Sequence, residues 1–313
     1  MKRIGIIGLG LKNPYTYAPI LKLQGAKPTC VWDTYAENAR DYAKTFDCTP
    51  VEDLDDFPTD DVDGVIIESI NSEHLKLAKG FVERGIPAFI EKPMSNDPQE
   101  VFSFLDEFPD APLFSASPLR FSPAYQEMQR EIYGKQQDTI RLCKVSVYHT
   151  MAHFLADEQK IWHDKPSQGG GMLIDIGIHA IELLNMFMPK PYGRIEYLKS
   201  NTYYRQSESG DCHSVTIEYL DGSVGQLSLL CATDRLDYAV EAYSERNSYI
   251  NTNRERYLGE AFNADNAYGG FVGTMEAFLN MIDTGIPPIS PEETRRNFTL
   301  IQNIQANEKR YTT

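Results

Sequence analysis

The sequence predicts an α/β protein of two domains, the first built on a parallel sheet and the second an α/β domain with a largely antiparallel, open sheet. The chain has 313 residues, and at roughly 150 residues per domain this length corresponds to two domains. Short apolar strand patterns alternate with helical patterns over the first part of the chain, which is typical of βαβ units. Beyond Arg120 the strand patterns are longer and alternate apolar with polar residues, as strands with one buried face do.

The first domain consists of strands and helices in strict alternation. The predicted strands cover residues 3–8, 28–33, 64–68, 88–91 and 113–116. Two of the predicted helices cover residues 36–46 and 74–84. A further helix has Asn13 as its N-cap and Pro14 as its first residue, and another opens at Asp97 with Glu100 placed for a capping box.

The second domain is predicted to contain strands at 195–205, 214–220, 224–231 and 238–243. Asp221-Gly222 separates the middle two strands and predicts a hairpin. One long helix is predicted at 172–186, and two more close the chain at 270–283 and 291–309. We therefore place the first domain at residues 1–118 and the second at 119–313, an arrangement that leaves the last helix free to pack back on the first domain.

Composition excludes several classes of partner. Asp and Glu number 45 against 30 Lys and Arg, a formal charge of −15, which disfavours nucleic acid and anionic membranes as partners. The five cysteines are scattered and form no C-x-x-C pair, so we expect no disulfide framework and no metal site. No apolar run is long enough to span a membrane. The chain starts directly with a strand pattern, so we expect no signal peptide and a cytoplasmic location.

A cofactor site is predicted at the end of the first strand. Gly8-Leu9-Gly10 follows that strand, and Asp33 ends the second. Glycines at this turn let the backbone approach a pyrophosphate, and the acidic residue accepts hydrogen bonds from a ribose, as in a Rossmann-type dinucleotide-binding domain. Asn13 stands where a third Gly or Ala is usual, which affects the expected pyrophosphate contacts. The Asp33 carboxylate would repel a 2′-phosphate, so NAD is preferred over NADP.

Two further patterns carry polar side chains suited to chemistry. Glu91-Lys92-Pro93 ends a strand of the parallel sheet, where ligands of such sheets bind, although Lys92 alone is equally compatible with a solvent-facing strand end. The three glycines at 169–171 predict a close approach of the backbone to another group just before a helix. Asp175 and His179 follow them and are four residues apart on an apolar helix. They are compatible with a structural hydrogen bond or with catalysis. Trp162 and His163 precede the glycines and are candidates to line a substrate site.

Together these motifs resemble the glucose-fructose oxidoreductase/inositol dehydrogenase/MocA (Gfo/Idh/MocA) family. The resemblance covers nearly the whole chain and includes Asn71 and His74, the Leu119-Arg120-Phe121 segment and the closing helices. It implies an NAD(P)-dependent dehydrogenase for sugars, inositols or related polyols that forms homodimers or homotetramers through its open sheet face. The site residues that it implies are Lys92, Asp175 and His179 for catalysis, Asn71, His74, Glu91 and Lys92 for the cofactor, and Arg120 and Trp162 beside the catalytic three for the substrate.

Three functions are compatible with these residues. The first is hydride transfer between the cofactor and a secondary alcohol or ketone, with either His179 or Lys92 as the base. The second is a glycosidase that uses NAD for transient oxidation and elimination. The third is a nucleotide-binding sensor without turnover, which the complete Lys92, Asp175 and His179 set disfavours.

Overall fold

The chain forms two compact units in the computed structural model, which describes residues 1–10, 13–156, 158, 160–251, 256–257, 260–261 and 270–309. The first unit comprises Met1–Ala116 and Phe271–Thr294, and the second comprises Ser117–Gly270 and Arg295–Thr313. Residues 271–294, which the sequence placed in the second domain, thus group with the first.

The first unit is built on a six-stranded sheet in which every pair of neighbours is parallel. Its strands are β1 (Lys2–Ile7), β2 (Ala26–Trp32), β3 (Thr49–Pro50), β4 (Gly64–Ile67), β5 (Ala88–Ile90) and β6 (Leu113–Ser115). The strand order is β3-β2-β1-β4-β5-β6. The order reverses between β1 and β4, and ligands of open α/β sheets bind in the crevice at such a reversal, outside the carboxyl ends of the strands.

Helices connect these strands and bury them. They are α1 (Asn13–Leu23), α2 (Ala36–Phe46), α3 (His74–Val82) and α4 (Pro98–Glu107). Central strands carry continuous apolar runs, and Ile6, Ile66 and Phe89 are fully buried, as expected of a parallel sheet with both faces covered. Asp97 caps α4 by accepting from the Gln99 N–H at 2.9 Å. The Glu100 carboxylate, predicted for a capping box, instead accepts a hydrogen bond from Ser95 Oγ.

The penultimate helix, α9, belongs to the first unit. It spans Phe271–Thr284, and its Phe278 ring lies 6.2 Å from the ring of Phe89 on β5. The Phe271 ring meets Tyr17 of α1 edge-on at 5.3 Å. Because Gly64 lacks a side chain, Ile282 can approach β4 closely: a Cβ at Gly64 would lie 2.8 Å from the Ile282 side chain. The helix that packs on the first sheet is therefore this one, whereas the sequence analysis considered the last.

The second unit is built on a seven-stranded mixed sheet of order β12-β11-β7-β10-β9-β8-β15. Its strands are β7 (Leu142–Thr150), β8 (Tyr192–Ser200), β9 (Cys212–Tyr219), β10 (Val224–Leu230), β11 (Ala232–Tyr243), β12 (Ser248–Asn251) and β15 (Glu308–Lys309), and a separate short pair is formed by β13 (Arg256–Tyr257) and β14 (Glu260–Ala261). The β7–β10 and β8–β15 pairs are parallel and the other four antiparallel. The predicted α/β class and the hairpin at Asp221-Gly222 are confirmed.

Helices of the second unit are α5 (Pro123–Gln129), which continues as a π-helix over Arg130–Gln136, α6 (Ala152–Leu155), α7 (Met172–Asp175) and α8 (Gly177–Phe187). The last helix, α10 (Pro291–Ala306), begins in the first unit and continues in the second. Ser290 caps it by accepting from the Glu293 N–H at 3.1 Å.

Four predicted elements differ in the second unit. The strand predicted at 238–243 begins at Ala232. The helix predicted at 172–186 is wrong, because the chain forms α7 and α8 with a break at Ile176. The strand predicted at 195–205 ends at Ser200. The last helix ends at Ala306 rather than near Lys309, since Glu308 and Lys309 pair with β8 as an edge strand.

Within the described part of the chain, no helix is long and apolar enough to cross a membrane. The same residues contain no group of three or more His, Cys, Asp and Glu side chains able to hold a metal ion. All five cysteines are free thiols, and burial raises the pKa of Cys30 to about 11.

Candidate functional site

The turn after β1 requires glycine at its first position. Gly8 has a φ of +88°, and a Cβ there would lie 1.9 Å from the Glu68 carbonyl oxygen at the end of β4. Its N–H donates to the Trp32 carbonyl at 2.7 Å. The backbone of this turn therefore lies between the ends of β2 and β4, the two strands that flank β1. In this geometry a glycine turn presents its backbone to a phosphate.

Asp33 organises the same turn from the end of β2. Its side chain is 8% exposed, and Oδ2 accepts from the Leu9 N–H at 2.8 Å. Oδ1 accepts from the Tyr35 N–H at 2.8 Å and from Asn38 Nδ2 at 3.2 Å. The carboxylate therefore fixes the glycine turn in addition to the ribose role predicted for it. The glycine turn and the Asp33 carboxylate together suit the pyrophosphate and the ribose of a dinucleotide.

The start of α1 differs from the predicted one. Asn13 is the first residue of the helix instead of its N-cap, and its N–H donates to Glu68 Oε1 at 3.3 Å.

Asn71 and His74 lie after β4 and are both about 1% exposed. His74 Nδ1 is 2.8 Å from the Pro93 carbonyl oxygen, and Nε2 is 3.0 Å from the Ser69 carbonyl oxygen. The imidazole therefore ties the loop after β4 to the loop after β5. This contact gives His74 a structural task, and its predicted contact with the cofactor remains a prediction.

Glu91 and Lys92 follow β5 and are buried. Glu91 accepts hydrogen bonds from Tyr17 OH at Oε1 and from the Lys92 N–H at Oε2, the latter at 3.1 Å. Burial raises the pKa of the Glu91 carboxyl, against the opposing effect of the Tyr17 hydrogen bond. Lys92 is 6% exposed, so the alternative of a solvent-facing lysine at a strand end is wrong.

Asp175 pairs with a residue that the helical spacing did not indicate. Its Oδ2 lies 2.5 Å from His163 Nδ1, and both side chains are buried. The predicted pattern of Asp175 and His179 on one continuous helix is wrong, because Asp175 ends α7 and His179 belongs to α8. Helical periodicity could not reveal the partner, since His163 lies in a short 3-10 turn, Ile161–Asp164.

His179 is held by the segment that enters the second unit. Its Nδ1 lies 2.5 Å from Ser117 Oγ. The Ser117 N–H donates to Glu182 Oε2 at 2.9 Å, one turn further along α8. Ser117 thus contacts the imidazole directly, and Glu182 holds the Ser117 backbone in place.

The three glycines at 169–171 have a specific steric task. A Cβ at Gly170 would lie 1.9 Å from the Trp162 carbonyl oxygen, and the Gly171 N–H donates to the His163 carbonyl at 2.8 Å. Gly169 and Gly171 both have positive φ, +89° and +118°. The close backbone approach that the glycines predicted is therefore made to residues 162–163, which places His163 against Asp175.

The remaining predicted substrate residues lie in two turns of the second unit. Trp162 is 8% exposed, and its ring stacks on His163. Arg120 is half-buried in the 3-10 turn Pro118–Phe121. Their contact with the substrate remains a prediction.

A buried carboxylate that the sequence analysis missed holds the loop after β8. Asp164 Oδ1 accepts from Ser207 Oγ at 2.6 Å and from Ser209 Oγ at 2.5 Å. The Glu208 N–H donates to Oδ2 at 3.2 Å. The loop is thereby anchored to the turn that carries His163.

Comparison with known proteins identifies the family. The model described as "Oxidoreductase family, NAD-binding Rossmann fold" matches residues 2–112, and the GFO/IDH/MocA C-terminal domain matches residues 125–250. The chain belongs to the Gfo/Idh/MocA family. The predicted resemblance is thereby confirmed, and the family's first domain gives this chain an NAD(P)-binding Rossmann fold.

Individual members of the Gfo/Idh/MocA family resemble this chain over much of its length. D-xylose 1-dehydrogenase (NADP(+)) 2 of Haloferax volcanii is 23% identical over 258 residues, which cover 75% of this chain and 74% of that protein. The myo-inositol dehydrogenase of Corynebacterium glutamicum superposes with a TM-score of 0.82 at 18% identity, covering 98% of this chain and 96% of its own. The WlbA dehydrogenase of Bordetella pertussis, solved with NADH and UDP-GlcNAcA, gives 0.82 at 15% identity, with coverage of 98% and 95%.

Proposed function

We propose that this chain is an NAD-dependent oxidoreductase that acts on a secondary alcohol or ketone of a sugar, inositol or related polyol. The observation that carries the proposal is the burial of the three ionisable side chains expected to perform the chemistry. Lys92, Asp175 and His179 are exposed by 6%, 0% and 1%. Burying an ionisable group costs free energy unless it is paired, and such groups concentrate at functional sites. The names of the relatives, which include xylose and inositol dehydrogenases, support the substrate class.

The chain's own residues have defined tasks in this reaction. A bound nicotinamide would supply the hydride transfer to or from the substrate carbon. Either His179 or Lys92 accepts the hydroxyl proton, and the ammonium group of Lys92 can also stabilise developing charge on that oxygen. Ser117, whose backbone is held by Glu182, orients His179, and His163 orients Asp175. Gly8, Leu9, Gly10 and Asp33 hold the dinucleotide, with Asn71, His74 and Glu91 as further proposed contacts.

A spectrophotometric screen tests the proposal. The purified chain is incubated with NAD and a panel of inositols, aldoses, ketoses and amino sugars, and the absorbance of the reduced cofactor is followed. We expect net reduction of NAD with at least one polyol. Product release without net reduction would instead indicate glycoside cleavage. Calorimetric binding of NAD without turnover on the whole panel would indicate a sensor.

We predict that the chain binds NAD at least about tenfold more tightly than NADP, because the Asp33 carboxylate repels a 2′-phosphate. Asp33→Asn removes the charge but keeps an oxygen that can accept from the Leu9 N–H. This variant should therefore reduce the difference between the affinities for NAD and NADP. Asp41→Asn removes the same charge from an exposed position of α2 and should leave the preference unchanged. Calorimetry with both cofactors measures this, and equal or tighter NADP binding by the wild type would contradict it. The related xylose dehydrogenase of Haloferax volcanii is named as NADP-dependent, so a measurement with both cofactors tests whether this chain differs from that relative.

We further predict a homodimer or homotetramer, formed through the outward face of the second sheet. Buried residues alternate with outward ones along β9 and β10. The outward face of β10 carries Gln226 and Ser228 beside the half-buried Leu230. Light scattering should report a mass of two or four chains, and Leu230→Glu should reduce it. Leu220→Glu should not reduce the mass, because Leu220 lies in the hairpin turn and is itself 71% exposed. A wild-type monomer at micromolar concentration would contradict this interface.

A further inference from the structure

The imidazole of His163 is enclosed on both faces by aromatic rings. Its side chain is 1% exposed. The ring centroid lies 3.7 Å from that of Trp162 and 4.1 Å from that of Phe154, with interplanar angles of 25° and 24°. Two rings that stack this closely cannot share one face, so they lie on opposite faces. Polar contacts of His163 are therefore confined to the edge of the ring, where its nitrogens lie.

One nitrogen of this edge is committed to Asp175. Nδ1 lies 2.5 Å from Asp175 Oδ2. An ionised carboxylate only accepts hydrogen bonds, so Nδ1 carries the proton and donates it. In the neutral ring Nε2 then holds the lone pair, which makes it an acceptor that the carboxylate orients, as in other carboxylate–histidine pairs.

The second ring nitrogen of His163, unlike the first, makes no hydrogen bond within the described part of the chain. Nε2 of His163 is buried and has no hydrogen-bond partner among the residues that the structure describes. Leaving a buried polar atom without a partner costs about 1–3 kcal/mol, and most buried polar atoms in folded proteins are paired. Because Gly170 and Gly171 clamp residues 162–163 to the start of α7, the ring cannot easily turn to find another partner.

We propose that His163 is a substrate-binding residue whose Nε2 accepts a hydrogen bond from a hydroxyl of the polyol, while its Nδ1–H holds Asp175. This inference rests on the proposed oxidoreductase function and deepens it, because it assigns a specific hydroxyl contact to a residue outside the expected catalytic three. A buried acceptor of this kind selects for hydroxylated ligands, since an analogue without the hydroxyl leaves Nε2 unpaired.

Two substitutions separate the two nitrogens. His163→Asn places an amide N–H near the position of Nδ1, so it keeps a donor to Asp175 and removes Nε2. His163→Gln places its amide near Nε2 and removes the donor at Nδ1. We expect His163→Asn to retain NAD affinity and folding but to lower kcat/KM by about tenfold or more. His163→Gln keeps an amide near Nε2, so its discrimination between hydroxylated and deoxy substrates should be less affected.

The decisive comparison uses the accepted polyol and its single-deoxy analogues. Wild type should discriminate strongly against one analogue, and His163→Asn should lose that discrimination. The control is His213→Asn: His213 is equally buried, but its nitrogens bind Tyr197 OH at 2.8 Å and the Gly210 carbonyl at 3.2 Å. Burial lowers the pKa of His213 to about 4, so it is neutral at assay pH, and its variant should discriminate as wild type does.

A binding measurement on wild type covers the case in which His163→Asn does not fold. Magnetic resonance of isotope-labelled histidine, assigned with His163→Gln, should show the Nε2 resonance of His163 shifting when a polyol binds to the NAD-loaded protein. An unshifted resonance, or His163→Asn with wild-type kcat/KM and discrimination, overturns the inference while the proposed function stands. Failure of the wild type to turn over any polyol overturns the proposed function, and the inference falls with it.

Discussion

Lys92→Ala and His179→Ala should each lower kcat by at least about 10²-fold, since removal of a general base or of a donor to the reacting oxygen typically costs this much. Both side chains are buried, yet neither is an apolar core residue, so we expect folding to change little in both variants and NAD affinity to change little in His179→Ala. Steady-state kinetics on the identified polyol, with calorimetric NAD binding and thermal unfolding alongside, measures the three quantities separately. The pH dependence of kcat in the two variants shows which residue is the base.

The control for these variants is Lys76→Ala, which removes a largely exposed lysine paired with Glu73 and should leave kcat unchanged. If the residues act as one unit, the double variant should lose less than the product of the single losses. Asp175→Asn is preferable to Asp175→Ala, because asparagine keeps an oxygen that can accept a hydrogen bond from the buried His163, whereas alanine leaves His163 without an acceptor. Near-full turnover of Lys92→Ala or His179→Ala would make that residue structural.

Gly170→Ala should lower the free energy of unfolding by about 3 kcal/mol or more and remove most activity. The added Cβ would lie 1.9 Å from the Trp162 carbonyl oxygen and 2.6 Å from that of His163. Both atoms belong to the backbone and cannot rotate away, so the two segments must separate. Separation breaks the 2.8 Å hydrogen bond from the Gly171 N–H to the His163 carbonyl and moves His163 from Asp175.

Gly134→Ala provides the matched control for this substitution. Gly134 lies in the helical segment Arg130–Gln136, and an added Cβ meets nothing within 4 Å. Alanine is a better helix former than glycine by about 1 kcal/mol, so this variant should be as stable as wild type or slightly more so. Thermal and urea unfolding of the two variants measure the difference. If Gly170→Ala unfolds at the same temperature and urea concentration as wild type, the close approach of residues 162–163 does not contribute to stability.

Much of the fold follows from local sequence patterns. Helix 36–46 is found at its predicted bounds, and the five predicted strands of the first sheet begin and end within two residues of the prediction, whereas the two-residue edge strand β3 was not predicted. These elements are marked by periodicity and by flanking turn residues, which act over a few positions. The hairpin around Asp221-Gly222 is local in the same sense.

Features that depend on tertiary contact were not predictable in this way. The break at Ile176 accompanies close packing of Gly177, where a Cβ would lie 2.9 Å from the Leu229 side chain on β10, and the helical pattern carries no trace of that neighbour. An apolar helix does not specify which sheet it covers, so α9 was assigned to the wrong domain. The glycines at 169–171 indicated a close backbone approach, but only the structure identifies residues 162–163 as its target and His163 as the partner of Asp175.

Isotope transfer tests the central claim, hydride transfer between a polyol carbon and the nicotinamide, most directly. The polyol found in the screen is prepared with deuterium on the carbon that is oxidised, incubated with NAD and the chain, and the reduced cofactor is analysed by mass spectrometry. The proposed function predicts that the reduced cofactor carries the deuterium and that the Lys92→Ala variant forms it far more slowly. A reduced cofactor without deuterium, or consumption of the polyol with no labelled cofactor at any time, would contradict it.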